Sequence, residues 1–271
     1  MVWLRRHLVV VVGLLVMAYI LIPNLVVTVF SFNKPSGRYN YQWNQFSLDA
    51  WLNPCASPGM CDALGLSLWV AVVASLVATV IGTMAAFALG RYRFRGRSAT
   101  NLLVFFPMAT PEVVMGSSLL TLFVAMGIPS GQLTILIAHI LFTLSFVVTT
   151  VKARVASLDP SLEQAAADLY ATPAQAFWKV TFPLVAPGIG AGALLAFALS
   201  FDDYIVTNFN AGATTVTFPM FVWGAAQRGT PVQINVVGTV MFFGALAIVG
   251  IAQTVGARVR LGSRSRRKEA L

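Results

Sequence analysis

Charged residues are scarce in this sequence. Only 10% of its 271 residues are Asp, Glu, Lys or Arg, whereas 58% are hydrophobic and the mean hydropathy is +0.79. A soluble domain of ordinary composition is about a quarter charged. The shortage of charge therefore excludes an ordinary soluble domain and predicts an all-α integral membrane protein.

Chemically reactive groups are also few. The sequence has 2 Cys and 2 His, and the His residues are remote from the Cys pair. It contains no HExxH zinc motif, no GxSxG nucleophile motif and no GxxxxGK[ST] phosphate loop. These absences predict no metal site and argue against an intramembrane enzyme or an ATPase. A membrane scaffold would fit the composition but would leave the polar interruptions of the apolar segments unexplained.

Apolar segments long enough to cross a bilayer recur along the chain. A spanning helix needs about 20 predominantly apolar residues. Six stretches meet this requirement: 8–30, 64–89, 102–125, 133–151, 188–207 and 234–257. The third is interrupted by Pro107, Pro111 and Glu112, and the fifth by Asp202 and Asp203. Interrupted spans occur where neighbouring helices or a wet cavity satisfy the polar groups. We predict a single domain of six transmembrane helices.

Basic residues fall almost entirely on one side of these six segments. If the N-terminus is cytoplasmic, fifteen of the 18 Lys and Arg residues lie inside, and Lys34, Arg38 and Arg228 lie outside. The positive-inside rule then predicts that both termini are cytoplasmic, with a basic tail over 258–271. The net charge of +9 is therefore a topology signal and not a nucleic-acid patch. The first segment lacks an A-x-A-like cleavage site, which predicts a retained span rather than a secretory signal.

The two cysteines lie in the predicted outer loop, residues 31–63. Cys55 and Cys61 are separated by five residues, and Pro58 and Gly59 can turn the chain between them. An extracytoplasmic location permits a disulfide, while two unlinked thiols are the alternative. Aromatic residues elsewhere in this loop predict that it packs or lies at the membrane interface.

The predicted inner loop between spans four and five, residues 152–187, contains two helix-start signals. Each combines a capping residue with a proline at the first helical position. They are Asp159-Pro160, for a helix over 160–171, and Thr172-Pro173 with Gln175 as capping-box partner, for a helix over 173–182. The second helix is expected to stop near Pro183 before the chain re-enters the membrane.

Two surfaces could receive these short helices. An amphipathic pair can lie on the inner membrane face, where a basic polar face is expected. The first helix instead carries Glu163 and Asp168, which anionic lipid disfavours. A small-residue helix with a few polar groups suits a groove in another protein, so the residues favour partner docking.

This loop resembles the EAA loop of ABC importer permeases. The family pattern is EAA, three residues, Gly, nine residues, then I-x-L-P. This sequence places Gln164-Ala165-Ala166, Tyr170, Val180 and Phe182-Pro183 at the corresponding positions. Gln164 replaces the acid of the motif, although Glu163 stands one residue earlier. Tyr170 replaces the corner glycine, which adopts left-handed geometry more easily. Either the corner needs no positive φ, or Ala171 and Thr172 absorb the turn.

The resemblance extends over nearly the whole chain. The segments over 32–47, 111–123, 138–154 and 200–212 are similar to ABC importer permeases of the polyamine type, those for spermidine and putrescine. The resemblance implies the type I permease fold, with two short coupling helices between spans four and five, in a bacterial plasma membrane. It also implies three kinds of partner: ATPase subunits, expected in two copies and carrying ATP and Mg, a second homologous permease, and an extracytoplasmic solute-binding protein. This chain would form half of the membrane pathway, bind no cofactor and not hydrolyse ATP. Related permeases carry sugars, iron complexes or phosphonates, which remain alternative solutes.

Residue roles follow from the same resemblance. The family's loop would enter a cleft of the ATPase subunit and transmit its closure to the spans. The residues assigned to this contact are Glu163, Gln164, Ala165, Ala166, Asp168, Tyr170, Ala171 and Pro183. The alanine pair would permit close approach, and Glu163 is the expected substitute for the displaced acid.

Acids within the spans are the candidate substrate contacts. A carboxylate inside a bilayer costs about 3 kcal/mol on insertion scales, so acids kept there usually face a cavity or a partner. Glu112, Asp202 and Asp203, with Tyr204 beside them, could contact the ammonium groups of a polyamine. Alternatively, the two Asp residues cap a helix or lie at the outer interface. Adjacent helical residues point about 100° apart, so one of the pair is expected to face the pathway. His139, in span four, could relay a proton or form interhelical hydrogen bonds, and the latter is favoured.

Overall fold

The computed structural model describes residues 2–248 and 250, with side chains described from His7 onward. The basic tail over 258–271 and the end of the predicted sixth span lie outside the described residues. The described chain is helical, with one isolated bridge between Asn33 and Phe46. The helices are α1 Val2–Phe30, α2 Asp49–Leu52, α3 Met60–Arg91, α4 Arg97–Ala109, α5 Glu112–Ala125, α6 Gln132–Ala156, α7 Ser161–Asp168, α8 Pro173–Ala176, a π-helical segment Phe177–Thr181, α9 Phe182–Asp202, α10 Ile205–Asn210, α11 Phe218–Arg228 and α12 Val232–Ile248.

Four helical stretches of the described chain are long and apolar enough to span a bilayer. They are His7–Phe30, Met60–Arg91, Gln132–Ala156 and Pro173–Asp202. The bent pair α4 and α5 makes a fifth if it is counted as one span, and α12 is a shorter apolar helix. The structure is consistent with six spans, and that number stays a prediction.

The predicted third span is broken, as its prolines indicated. Helices α4 and α5 meet at an angle of 107°. Thr110, which precedes Pro111, has an extended backbone with ψ of 132°. A residue before proline is sterically driven out of the α region, so the helix ends there. Glu112 is consequently the first residue of a new helix rather than a mid-span acid.

By its contacts the chain divides into two compact units, and the single-domain prediction is not tested. One unit comprises the residues up to Cys61 together with the chain from Val222 onward. In it, the outer loop is packed around Asn33, whose side chain donates to Asn40 and accepts from the backbone of Asn44. Trp51 donates to Ser31. Cys55 and Cys61 are joined by a disulfide, with their Cα atoms 5.5 Å apart.

The second unit, Asp62–Phe221, is built on close helix packing. Every fourth residue on one face of α3 is small: Ala74, Ala78, Gly82, Ala86 and Gly90. A Cβ added at Gly82 would lie 2.8 Å from Val147, and one at Gly90 would lie 2.9 Å from Val155. Small residues at this spacing let helices approach closely where lipid supplies no hydrophobic drive. Helices α3 and α6 therefore form a rigid core, against which α9 packs through Gly192.

Candidate functional site

Two groups of polar residues in the second unit are candidates for function. The first is the α6–α9 loop, residues 157–181. Its first helix, α7, begins just after Asp159-Pro160, where the Ser161 amide donates to the Asp159 carboxylate at 2.9 Å. This backbone hydrogen bond stabilises the ionised form and lowers the pKa of Asp159 below its ordinary value. Asp159 therefore caps the predicted helix from one residue outside its first turn.

The corner after α7 is closed by Tyr170 itself. Tyr170 has φ of 57°, the left-handed conformation that glycine supplies in the family pattern. The Ala171 amide donates to the Ala166 carbonyl at 3.0 Å, and the Tyr170 amide donates to the Ala167 carbonyl at 2.9 Å. This pairing is a Schellman motif, which requires a left-handed residue at that position. Both expected alternatives are therefore wrong, because the corner needs a positive φ and the tyrosine provides it.

The second half of the loop confirms the predicted start but not the predicted stop. Thr172 and Gln175 form a reciprocal capping box, with hydrogen bonds of 3.3 and 3.0 Å. The helix does not end at Pro183, however, and continues through the π-helical segment into α9. Pro183 lies inside this continuous helix, just after the wider π turn over Phe177–Thr181.

The outward face of α7 is uncovered in this chain. No residue of α7 is buried. Gln164, Ala165 and Asp168 are exposed, and Ala166 is partly covered. Past the end of the helix, Leu169 is 82% exposed and Tyr170 is 97% exposed. Small, polar and aromatic side chains therefore form one accessible surface around the corner.

Glu163 is turned the other way. One of its carboxylate oxygens, Oε1, lies 2.9 Å from Nη2 of Arg91 at the end of α3. The same oxygen accepts a hydrogen bond of 2.6 Å from the hydroxyl of Thr181. The structure thus gives the acid that stands beside Gln164 two partners within the chain, and its contact with an ATPase stays a prediction.

A groove runs between α3 and this loop. Its volume is 690 Å³, and its walls combine aromatic side chains with the ion pair of Arg91 and Glu163. The rings of Phe87 and Phe177 meet across it edge to face, with centroids 5.4 Å apart. Trp178 and Phe182 complete the aromatic wall. The loop is therefore seated on α3 by ring packing together with one ion pair.

The second polar group lies where span five breaks. Asp203 ends α9 and is buried. It accepts from the backbone amides of Val206 and Thr207 at 3.2 and 2.7 Å, and from the Thr207 hydroxyl at 2.8 Å. Its Oδ2 lies 3.4 Å from Nε2 of His139. Asp203 is thus the cap of α10, which is the alternative that the sequence left open.

His139 joins three helices, as the favoured reading of the sequence predicted. Its Nε2 lies 2.8 Å from the Thr207 hydroxyl, and its Nδ1 lies 2.7 Å from the Ser200 hydroxyl. With the Thr207 hydroxyl donating to Asp203, the compatible tautomer of His139 carries its proton on Nε2 and donates to Thr207. In the neutral ring, Nδ1 then accepts from Ser200. The network fixes α6, α9 and α10 to one another.

Glu112 and Asp202 are exposed, in contrast to Asp203. Glu112 starts α5, whose Gly116 lies so close to α10 that an added Cβ would be 3.3 Å from the Cα of Val206. This packing brings Glu112 within electrostatic range of Asp203 and Asp202. Tyr204 lies between α9 and α10 along the chain and is partly buried. The structure therefore places two exposed carboxylates at neighbouring helix breaks.

Several partners of these acids and of His139 could not be identified from the sequence. Arg91 reads as one of many topology charges, and Thr181, Ser200 and Thr207 are ordinary hydroxyl residues in helices. Only the fold brings them to Glu163 and to His139. Among the described residues, no group of three or more His, Cys, Asp or Glu is placed to hold a metal ion.

Comparison with known proteins gives the context of these sites. Residues 78–264 match the family described as "Binding-protein-dependent transport system inner membrane component". The chain is 36% identical to the putrescine transport system permease protein PotI of Escherichia coli strain K12, over 95% of each chain. It is 34% identical to the spermidine/putrescine transport system permease protein PotC of Haemophilus influenzae, over 89% of this chain and 93% of the relative.

The fold has a counterpart among solved structures. A chain from the crystal structure of a bacterial ABC transporter involved in the import of the acidic polysaccharide alginate superposes with a TM-score of 0.64. The alignment covers 92% of this chain and 95% of that chain, at 18% identity, so the likeness is one of fold. This protein therefore belongs to the family of inner membrane components of binding-protein-dependent transport systems, and it is a multi-pass permease subunit of an ABC importer rather than an enzyme.

Proposed function

We propose that this chain forms half of the translocation pathway of an importer for polyamines, with putrescine and spermidine as the candidate substrates. Relatives named for these two solutes align with almost the whole chain. The observation that carries the proposal is the pair of exposed carboxylates, Glu112 at the start of α5 and Asp202 at the end of α9.

The chemistry of these acids suits a polycation. An exposed carboxylate at membrane depth is unfavourable unless it faces water or a cation. Two such groups at neighbouring helix breaks create a negative region that ammonium groups can enter in exchange for water. Asp203 contributes little to such binding, because its oxygens accept hydrogen bonds from Thr207 and from the α10 backbone. Of the adjacent pair, Asp202 is the one that we place in the pathway, with Tyr204 beside it.

The complete importer has further subunits in this proposal. The family description supports an external solute-binding protein, and the ABC class supports ATPase subunits that hold ATP and Mg. We propose two ATPase copies and a second, homologous permease. Both termini lie in the cytoplasm of a bacterial cell, which the asymmetry of basic residues supports.

The α6–α9 loop is the proposed contact with the ATPase. Its accessible surface includes Gln164, Ala165, Asp168, Leu169 and Tyr170. Exposed apolar side chains beside small and polar ones are typical of a docking surface. Ala166 and Ala171 are partly covered, and Pro183 is exposed at the start of α9.

Uptake of labelled putrescine and spermidine by the complete importer tests the substrate. We expect that Glu112→Gln and Asp202→Asn each lower uptake at subsaturating polyamine by about tenfold, since one close charge pair corresponds to 1–2 kcal/mol. Asp62→Asn, which removes an exposed acid at the start of α3, is the matched control and should leave uptake unchanged. A wild-type importer whose ATPase is stimulated by its binding protein, yet which takes up neither polyamine, would contradict the proposal.

A further inference from the structure

Glu163 connects three elements of the chain through one atom. Its Oε1 contacts the Arg91 guanidinium on α3 and the Thr181 hydroxyl on the π-helical segment that leads into α9, while Glu163 itself belongs to α7. Helices α3 and α9 both lie within spanning stretches. Helix α7 lies in the loop between the stretches Gln132–Ala156 and Pro173–Asp202. The carboxylate therefore joins a loop helix directly to two membrane helices.

The position of this acid in the helix explains its direction. Successive residues of an α-helix point about 100° apart. Gln164, at the motif's acid position, is exposed, while Glu163, one residue earlier, faces the groove beside α3. The acid at position 163 therefore faces α3, whereas the residue at the motif's acid position faces away from the groove.

The ion pair of Arg91 and Glu163 is partly shielded from solvent. The side chains of Arg91 and Glu163 are 21% and 39% exposed. The aromatic rings of Phe87, Phe177 and Trp178 line the same groove as the pair. The Nε of Arg91 is buried and has no hydrogen-bond acceptor within the described structure. Removal of the Glu163 charge would leave this guanidinium without its anionic partner in a partly desolvated site.

Apolar packing alone cannot hold α7 firmly against α3. Helix α7 has eight residues, and none of them is buried. A short helix without a buried face moves independently of its neighbours unless specific contacts restrain it. The contact of Glu163 with Arg91 is such a restraint.

We propose that Glu163 is a transmission residue, which links displacement of α7 to α3 through Arg91 and to α9 through Thr181. The proposal rests on the proposed function of the loop as the ATPase contact. In it, the exposed face of α7 receives the movement of the ATPase, and the inward carboxylate passes that movement to two spans. Glu163 thus acts through other residues and contacts neither nucleotide nor substrate.

The test is the coupling between ATP hydrolysis and import in the complete, reconstituted importer. Glu163→Gln keeps the size of the side chain and an acceptor for Thr181 but removes the charge that pairs with Arg91. Arg91→Ala removes the other partner. Arg93→Ala, two residues further on and exposed, is the matched control. For Glu163→Gln and Arg91→Ala, we expect solute imported per ATP to fall about fivefold or more, the size of a typical coupling term. Arg93→Ala should retain the wild-type ratio.

A charge exchange separates transmission from mere stability. In the double variant Arg91→Glu with Glu163→Arg, the pair is restored with reversed polarity, and we expect at least half of the wild-type coupling ratio to return. Subunit co-purification should be unchanged in every variant. A Glu163→Gln importer with the wild-type ratio would overturn the proposal. So would variants in which assembly, ATP hydrolysis and import are lost together, because that pattern indicates a structural role only.

A second readout does not depend on the identity of the solute. The binding protein is purified with its native ligand, and its stimulation of ATP hydrolysis is measured. We expect this stimulation to be lost in Glu163→Gln and retained in Arg93→Ala. Wild-type stimulation without polyamine uptake would reject the polyamine substrate alone. Equal stimulation in wild type and Glu163→Gln would reject the transmission role alone.

Discussion

Glu163 in the α6–α9 loop and Asp203 at the broken end of span five are both held by partners within the chain, but in different surroundings. Glu163 is partly exposed, on a helix with no buried residue, and its partners are two side chains. Asp203 is buried and accepts from two backbone amides as well as from a hydroxyl. The first arrangement attaches one helix to its neighbours through side chains, whereas the second fixes the path of the backbone.

The difference shows how one residue type serves two purposes in the same unit. Where the backbone itself donates to a carboxylate, the residue determines the local fold, because loss of the acid leaves buried donors unpaired. Where only side chains donate, the helix can form without the acid, and the residue determines how that helix is attached. Substitutions that affect stability and coupling differently should separate these two cases.

The largest expected effect is at the buried carboxylate. Asp203→Ala leaves the amides of Val206 and Thr207, the Thr207 hydroxyl and His139 without their common acceptor. We expect the free energy of unfolding to fall by about 3–5 kcal/mol, the usual result of removing one member of a buried charged network. Thermal unfolding of the purified protein in detergent measures the effect. The neighbouring variant Asp202→Ala, at an exposed position, should change stability by less than about 1 kcal/mol.

If the two aspartate variants unfolded at the same temperature, the contrast between a fold-determining acid and a pathway acid would be lost. A stable Asp203→Ala protein with impaired polyamine uptake would instead place Asp203 in the pathway. The stability and uptake measurements together therefore identify which of the adjacent acids has each role.

The next substitution is expected to increase stability rather than to lower it. Tyr170 adopts the left-handed conformation, which costs a non-glycine residue about 1–2 kcal/mol. Tyr170→Gly removes this strain and should stabilise the loop by about 1 kcal/mol, since glycine also loses more backbone entropy. Hydrogen exchange at the Ala171 amide, which closes the Schellman motif, measures the gain. Tyr170→Ala, which has no ring but retains the strain, is the control, and equal exchange in both variants would contradict the explanation.

A smaller effect on stability is expected at Glu163. Because its side chain is partly exposed and accepts from side chains rather than from backbone amides, Glu163→Ala should lower the free energy of unfolding by about 1 kcal/mol or less. We expect the same variant to import less solute for each ATP hydrolysed. Differential scanning of the purified complex, beside the transport assay, checks this separation. A destabilisation as large as that of Asp203→Ala would show that the two regions do not differ in the way described.

The smallest effect concerns the start of α7. The Ser161 amide lowers the pKa of Asp159, so this contribution to helix stability is present above the ordinary aspartate pKa and is lost as the pH falls through the lowered value. We expect the Asp159 carboxyl to titrate below the range of an unstructured aspartate, as followed by NMR of labelled protein. The Ser161 amide signal should shift with it. A titration in the ordinary range would mean that the cap does not persist in solution.

The parts of the fold that could be predicted are those with local signals. The capping box at Thr172 and Gln175 and the break before Pro111 depend on residues within four positions of one another. The stop predicted at Pro183 was wrong, because a π-helical segment lets the helix continue, and no local pattern announces that segment. The corner at Tyr170 was misjudged because the energy of one strained residue is outweighed by the hydrogen bonds that the turn forms.

The sequence by itself determined the membrane class, the permease family, the break before Pro111 and the helix start at Thr172-Pro173. Charge content, the length of apolar segments and cap motifs act over short distances, and a linear pattern therefore displays them. Only the tertiary structure decided the direction of each acid. His139 finds its partners 61 and 68 residues away, and a one-residue shift turns Glu163 by about 100° relative to Gln164. Packing between helices determines which carboxylate is buried, paired or exposed. That packing depends on residues far apart in the sequence, so no single segment predicts it.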